Sequence, residues 1–207
     1  MVKFLGRIGL NLYIYAPKDD PYHRQKWDAS YPEDQFVKIK QLVKASKRNG
    51  VDFCFAISPG LTMKYSSEED FGKLFAKVSS LAELGVRVFG LFFDDIPPTL
   101  VHEEDRKRFR SLGEAHAHVS NRLENDLKTK YGDVKLILCP THYTGVEPQD
   151  FAKLLKGMFA TLGPKEVAEL LKTISPGSSI GDADSLLKQM KDLAQLDAMA
   201  ASMYNEY

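Results

Sequence analysis

Four short apolar runs recur along this chain at a spacing of about 40 residues, each followed by a polar loop and a helical stretch. They are LNLYIYAP (Leu10–Pro17), VDFCFAISPG (Val51–Gly60), VRVFGLFFDD (Val86–Asp95) and DVKLILCPTHYTG (Asp133–Gly145). The runs are apolar almost throughout rather than alternating, which is the pattern of strands buried on both faces. The intervening segments carry a different period. EDQFVKIKQLVKASKRNG places Phe36, Val37, Ile39, Leu42 and Val43 at helical spacing and closes on Asn49–Gly50. SSEEDFGKLFAKVSSLAELG opens on a Ser-x-x-Glu cap and stops at Gly85. One long helix is predicted from about Glu103 to Lys130. Strand alternating with helix specifies an α/β class with a parallel sheet covered by helices.

The pattern changes after Gly145. Three helical segments follow, broken at Gly163–Pro164 and in SPGSSIGD, with no strand-like run between them. The expected organisation is therefore an α/β part over 1–146 and a helical appendage over 147–207.

Charge narrows the partners. The chain has 28 Lys and Arg against 28 Asp and Glu, so no basic excess points to nucleic acid or to a membrane surface. No apolar run approaches the roughly 20 residues of a membrane span. Arg7 interrupts the N-terminal apolar residues and no small-residue cleavage site follows, so no signal peptide is read. Cys54 and Cys139 both lie in apolar runs and read as two buried thiols, in keeping with a reducing compartment. A cytoplasmic or nuclear location is the expectation.

In parallel α/β folds, ligands meet the protein beyond the carboxyl ends of the strands. The polar residues there are Lys18, Asp19 and Asp20, then Ser58, then Asp94 and Asp95, then Thr141, His142 and Tyr143. Asp94–Asp95 reads in two ways. Asp suits loop starts and helix caps, so the pair can be turn chemistry alone. Alternatively, if the backbone turns at the strand end, both carboxyls can reach one pocket. Each then opposes the other's ionisation, and one acts as acid while its neighbour stays anionic, as glycoside hydrolysis requires.

The motifs YAPKDDPYHRxxW, FAISPG, LFFDDI and CPTxYxG, in that order, resemble the catalytic barrel of glycoside hydrolase family 84, the O-GlcNAcases and bacterial β-N-acetylglucosaminidases. The resemblance covers roughly residues 9–145. It implies a partial TIM-type (β/α) barrel and a retaining mechanism in which the substrate's 2-acetamido oxygen attacks the anomeric carbon and forms an oxazoline. By motif match, Asp94 holds and polarises the acetamido N–H, and Asp95 protonates the leaving oxygen and then activates water. The same match gives Lys18 a sugar contact, places Tyr143 in the acetamido pocket and puts Cys139 near it. It implies no cofactor and no metal. The implied substrate is a glycan or glycoprotein bearing N-acetylglucosamine.

The family's Glu-Gly-Phe-Tyr-Gly-like first strand and its later Asp-Asn-type motif are not found in this sequence, so the resemblance spans strands two to five of eight. A half-barrel leaves sheet edges and apolar faces open. The C-terminal helices, or self-association of two halves, are ways to cover them. The missing walls keep a second reading open, a catalytically inactive relative that binds a glycan or a protein. Elsewhere, His116 and His118 stand two apart on a helix and do not share a face, which argues against a metal site. His23 and Arg24, in YHRQKW, read either as an anion contact or as a brace for their loop, with the brace favoured.

Overall fold

The computed structural model describes residues 1–141. Four strands, β1 (Leu12–Tyr15), β2 (Asp52–Ile57), β3 (Val88–Phe92) and β4 (Lys135–Cys139), form one sheet in the order β1-β2-β3-β4. Every pairing is parallel, with Tyr15 opposite Phe55, Ala56 opposite Gly90 and Phe92 opposite Cys139. Sequential order without a reversal distinguishes this sheet from a doubly wound one. It is the order of a (β/α) barrel wall, where right-handed crossovers put successive helices on the same face.

The helices are α1 (Val2–Arg7), α2 (Glu33–Arg48), α3 (Glu68–Glu83), α4 (Glu103–Arg108) and α5 (Leu112–Tyr131). The chain divides into two compact units, one of Met1–Ile96 with Val119–Cys139 and one of Pro97–His118 with Pro140–Tyr207. The core of the first unit is built on β2 and β3, whose Phe55, Ile57, Phe89 and Leu91 are fully buried, with Leu74 and Leu81 of α3 and Leu123 and Leu127 of α5. The helix ends follow the sequence. α2 begins with Glu33 and Asp34 and ends with Lys47 and Arg48, each favourable to the dipole at its own end. Gly90 is demanded by close approach within the sheet, since a Cβ there would lie 3.0 Å from the Cβ of Ala56 and 2.9 Å from the Phe92 ring.

Two local expectations change. The Ser-x-x-Glu cap of α3 is shifted by one residue. Ser67 is the N-cap and accepts from the Asp70 N–H, while Asp70 accepts from the Lys64 N–H. The long helix over Glu103–Lys130 is two helices. Phe109 is extended, and α5 starts on a reciprocal cap in which Ser111 accepts from the Glu114 N–H and Glu114 accepts from the Arg110 N–H. Ahead of β1 the chain forms the short helix α1. The boundary near 146 and the three C-terminal helices fall outside the described residues.

Candidate active site

The loop from Pro17 to Pro32, between β1 and α2, organises the carboxyl end of the sheet. Its first anchor is Asp20. One carboxylate oxygen accepts from the hydroxyls of Tyr31 (2.8 Å) and Tyr15 (3.3 Å), and the other accepts from the Tyr22 N–H (2.8 Å). Burial and the Asp20 charge push the Tyr15 hydroxyl up to about 12 and raise that of Tyr31 as well. Asp20, one of three charged candidates after β1, is thereby committed to the loop itself.

The second anchor is His23, which is buried. Its Nδ1 sits 2.8 Å from the Ala56 carbonyl and so carries the proton, which leaves Nε2 to accept from the Ser58 hydroxyl at 3.3 Å. Burial lowers its pKa. The Ser58 N–H donates in turn to the His23 carbonyl at 2.9 Å. The brace reading of YHRQKW is what the structure shows, and Ser58 is a buried turn residue. Trp27 supplies a third anchor; it is 2% exposed, and its indole N–H donates to the Thr62 hydroxyl at 2.8 Å.

A fourth anchor comes from outside the loop. Lys77 of α3 is buried, and its ammonium donates to the carbonyls of Tyr22 (2.6 Å), Lys26 (3.2 Å) and Ala29 (2.8 Å) beneath the Tyr22 and Tyr31 rings. Burial pushes Lys77 down to about 8. Between that value and the ordinary 10.5, the unfolded chain holds a proton that the folded chain has released, so raising the pH favours the fold. Urea unfolding from pH 7.5 to 10 is therefore expected to show wild type gaining stability relative to Lys77→Met as pH rises. A constant difference would mean that Lys77 titrates alike in both states.

The carboxylate pair lies on the turn that follows β3. The Phe93 N–H still bonds the Cys139 carbonyl at 2.8 Å, and then the chain leaves the sheet. Asp95 has φ 52, the only positive φ at a non-glycine residue among those described. That turn breaks the strand's alternation, so the two side chains need not point to opposite faces. Their surroundings differ. Asp94 is half-buried, and its Oδ1 is fully buried with no hydrogen-bond partner among the described residues. The Asp95 side chain is 50% exposed, with Lys18 Nζ at 3.8 Å and Arg24 Nη1 at 3.7 Å from its Oδ2. At these distances and this exposure the two ion pairs contribute little stability. The stronger contacts are to backbone. Arg24 Nη2 donates to the carbonyls of Asp94 (3.0 Å) and Asp95 (2.8 Å). On another side the turn meets Gly60 of the SPG turn, where a Cβ would lie 2.8 Å from Ile96 Cδ1.

Of the residues singled out in the sequence, Lys18, Asp94, Asp95 and Cys139 come together. The Cys139 thiol is raised by burial and by the charges of both aspartates, which puts it in their electrostatic reach. It is half-buried, unlike Cys54, which is fully buried and pushed up to about 11; neither is in a disulfide. Tyr143 and His142 lie outside the described residues. Two residues that organise the site were not singled out for it. Arg24 had a signal, its place between the buried His23 and Trp27. Lys77 had one too, a cation set on the apolar stripe of Phe71, Leu74, Val78 and Leu81.

A groove of about 550 Å³ opens at the amino ends of the strands, lined in part by Val51, Asp52, Val88 and Lys135. That end of such folds serves stability rather than chemistry.

Comparison with known proteins identifies the family. The beta-N-acetylglucosaminidase family profile (NAGidase) matches residues 1–167, which runs past both ends of the motif resemblance over 9–145. Protein O-GlcNAcase of Rattus norvegicus and that of Mus musculus are each 32% identical over 193 residues, covering 87% of this chain and 20% of the relative. The chain thus spans a fifth of the length of these curated relatives. Among solved structures, an aspartate-to-asparagine mutant of the Thermobaculum terrenum O-GlcNAc hydrolase superposes with a TM-score of 0.74 at 39% identity, covering 79% of this chain and 35% of that one.

Proposed function

The chain belongs to glycoside hydrolase family 84, the beta-N-acetylglucosaminidases, and on that footing we propose that it hydrolyses terminal β-linked N-acetylglucosamine, including the protein-linked sugar, by substrate-assisted retaining catalysis. The observation that carries this reading is the unequal pair on the turn after β3. Asp94 keeps a buried carboxylate oxygen with no hydrogen-bond partner among the described residues, and Asp95 presents a half-exposed carboxyl one residue on. Two adjacent carboxyls in different environments can take different roles.

In this reading Asp94 Oδ1 accepts the acetamido N–H of the substrate. That contact orients the acetamido group and draws electron density towards its carbonyl oxygen, which attacks the anomeric carbon. Asp95 gives its proton to the glycosidic oxygen as the bond to the anomeric carbon breaks, and the intermediate is an oxazoline in its N-protonated form, with the ring N–H proton held by the Asp94 carboxylate. The carboxylate of Asp95 then takes a proton from water, whose oxygen opens the oxazoline with net retention. Lys18, whose side chain is 89% exposed, is free to turn from Asp95 to a sugar hydroxyl or to the leaving group. Cys139, at the end of β4, lies within electrostatic reach of the pair. Tyr143 lines the acetamido pocket by motif match. A glycoprotein substrate is supported by the relatives named Protein O-GlcNAcase.

Substrate assistance makes a sharp demand. The nucleophile belongs to the sugar, so a β-N-acetylglucosaminide and a β-glucoside with the same fluorogenic leaving group differ by at least about 1000-fold in kcat/KM, because an intramolecular nucleophile carries a large effective molarity. Equal turnover of the two would remove the oxazoline route. Turnover of neither, with cooperative urea unfolding intact, would leave the chain as a binding module.

A further inference from the structure

We infer that Arg24 is a positioning residue for the carboxylate pair: one nitrogen of its guanidinium ties the carbonyls of Asp94 and Asp95 and holds Asp95 in the left-handed conformation that sets the two side chains relative to each other. This rests on the reading that Asp94 and Asp95 are the reacting carboxyls.

Three observations carry it. The contacts are to main chain, not to the reacting groups. Nη2 uses its two hydrogens on two successive carbonyls, at 3.0 and 2.8 Å, whereas the nearest guanidinium contact to the Asp95 carboxylate is 3.7 Å. The residue being held is strained. Aspartate tolerates φ 52 better than most residues, yet the conformation remains uncommon and needs its surroundings to fix it. Arg24 itself has a fixed base, because the neighbouring His23 is tied by side chain and main chain to Ala56 and Ser58 at the end of β2, and Trp27 is buried three residues on. The loop is a crossbar running from the end of β2 to the turn after β3. The Arg24 side chain is 18% exposed and points along it. A released turn moves Asp95 relative to the anomeric carbon, and it is proton donation to the leaving oxygen that this displacement impairs.

The test uses the leaving group as its reporter. A glycoside of a simple alcohol needs its oxygen protonated as the bond breaks, whereas a 2,4-dinitrophenyl glycoside does not. Arg24→Met is expected to lose about 100-fold in kcat/KM on the alkyl N-acetylglucosaminide, the cost of a misplacement of about 1 Å in the step that expels the alcohol. It should lose less than about tenfold in kcat/KM on the dinitrophenyl substrate, whose departure needs no proton. Equal losses on both substrates, or no loss, overturn the inference. If Arg24→Met does not unfold cooperatively in urea, Arg24→Lys is read by the same inequality between the two substrates, its losses smaller because the ammonium still donates towards the two carbonyls. If wild type turns over neither substrate, the functional reading fails. The positioning claim is then decided by a crystal structure of the variant, in which Asp95 should leave positive φ, and retention of φ near 52 overturns it.

Discussion

Asp95→Asn lowers turnover of an unactivated β-N-acetylglucosaminide by about 10²- to 10⁴-fold, the range over which a positioned general acid contributes, while the urea midpoint stays near that of wild type. The structure separates these two effects. Asn matches Asp in shape and tolerates the left-handed region as well, so φ 52 remains available. The tie from Arg24 is made to the main-chain carbonyls and survives the substitution. The side-chain ion pairs lost with the charge are long and exposed, so little stability goes with them. What disappears is the ability to carry a proton. Asp94→Asn acts on a different event, the seating of the acetamido group. The double variant should therefore fall short of the product of the two single losses, since both residues serve one transition state. Activity of Asp95→Asn within about threefold of wild type would place the acid elsewhere.

The largest stability effect falls on a residue that touches no substrate in this reading. Trp27→Ala is expected to cost about 3–5 kcal/mol, as large-to-small changes of buried aromatics do. The ring is 2% exposed, and its indole N–H satisfies Thr62. Trp27→Phe keeps most of the volume and forfeits one hydrogen bond, so it should cost nearer 1 kcal/mol. Urea melts with unchanged slope would attribute both to stability alone. The same substitution has a catalytic consequence. Trp27 anchors the loop that carries Arg24, so Trp27→Ala assayed well below its midpoint should still lose kcat beyond its unfolded fraction. A loss under about 1 kcal/mol would mean that the loop is packed on the sheet without depending on its tryptophan.

How far each feature was legible depends on the range of the interaction that makes it. The strands and helices were readable because burial on two faces and on one stripe leave different periods in the chain. The end of α2 at Asn49–Gly50 and that of α3 at Gly85 were readable because their glycines take positive φ, at 66° and 93°. The break between α4 and α5 was in principle readable too. Ser111-x-x-Glu114 is a capping signal, but the helical period of its neighbours masked it. The carboxylate pair was visible as chemistry, yet its two readings, turn and acid–base pair, proved not to exclude each other. Asp94 and Asp95 do form a turn, and the turn is what frees both side chains from the alternation of the strand.

By itself, the order of residues determined an α/β chain with a sequential parallel sheet, polar residues gathered at the strands' carboxyl ends and an ancestry written in four short motifs. These depend on local period, on turn chemistry and on the rule that parallel strands present their ends to one side. Only the tertiary structure decided that Asp20 is spent on two tyrosines, that Lys77 holds three carbonyls of a loop some 50 residues away in sequence, and that Arg24 grips the turn at Asp94 and Asp95. Each of these is a directional bond between groups far apart along the chain. Such a bond exists only once the sheet has brought its partners within 3 Å or so of each other, and no periodicity records it in advance.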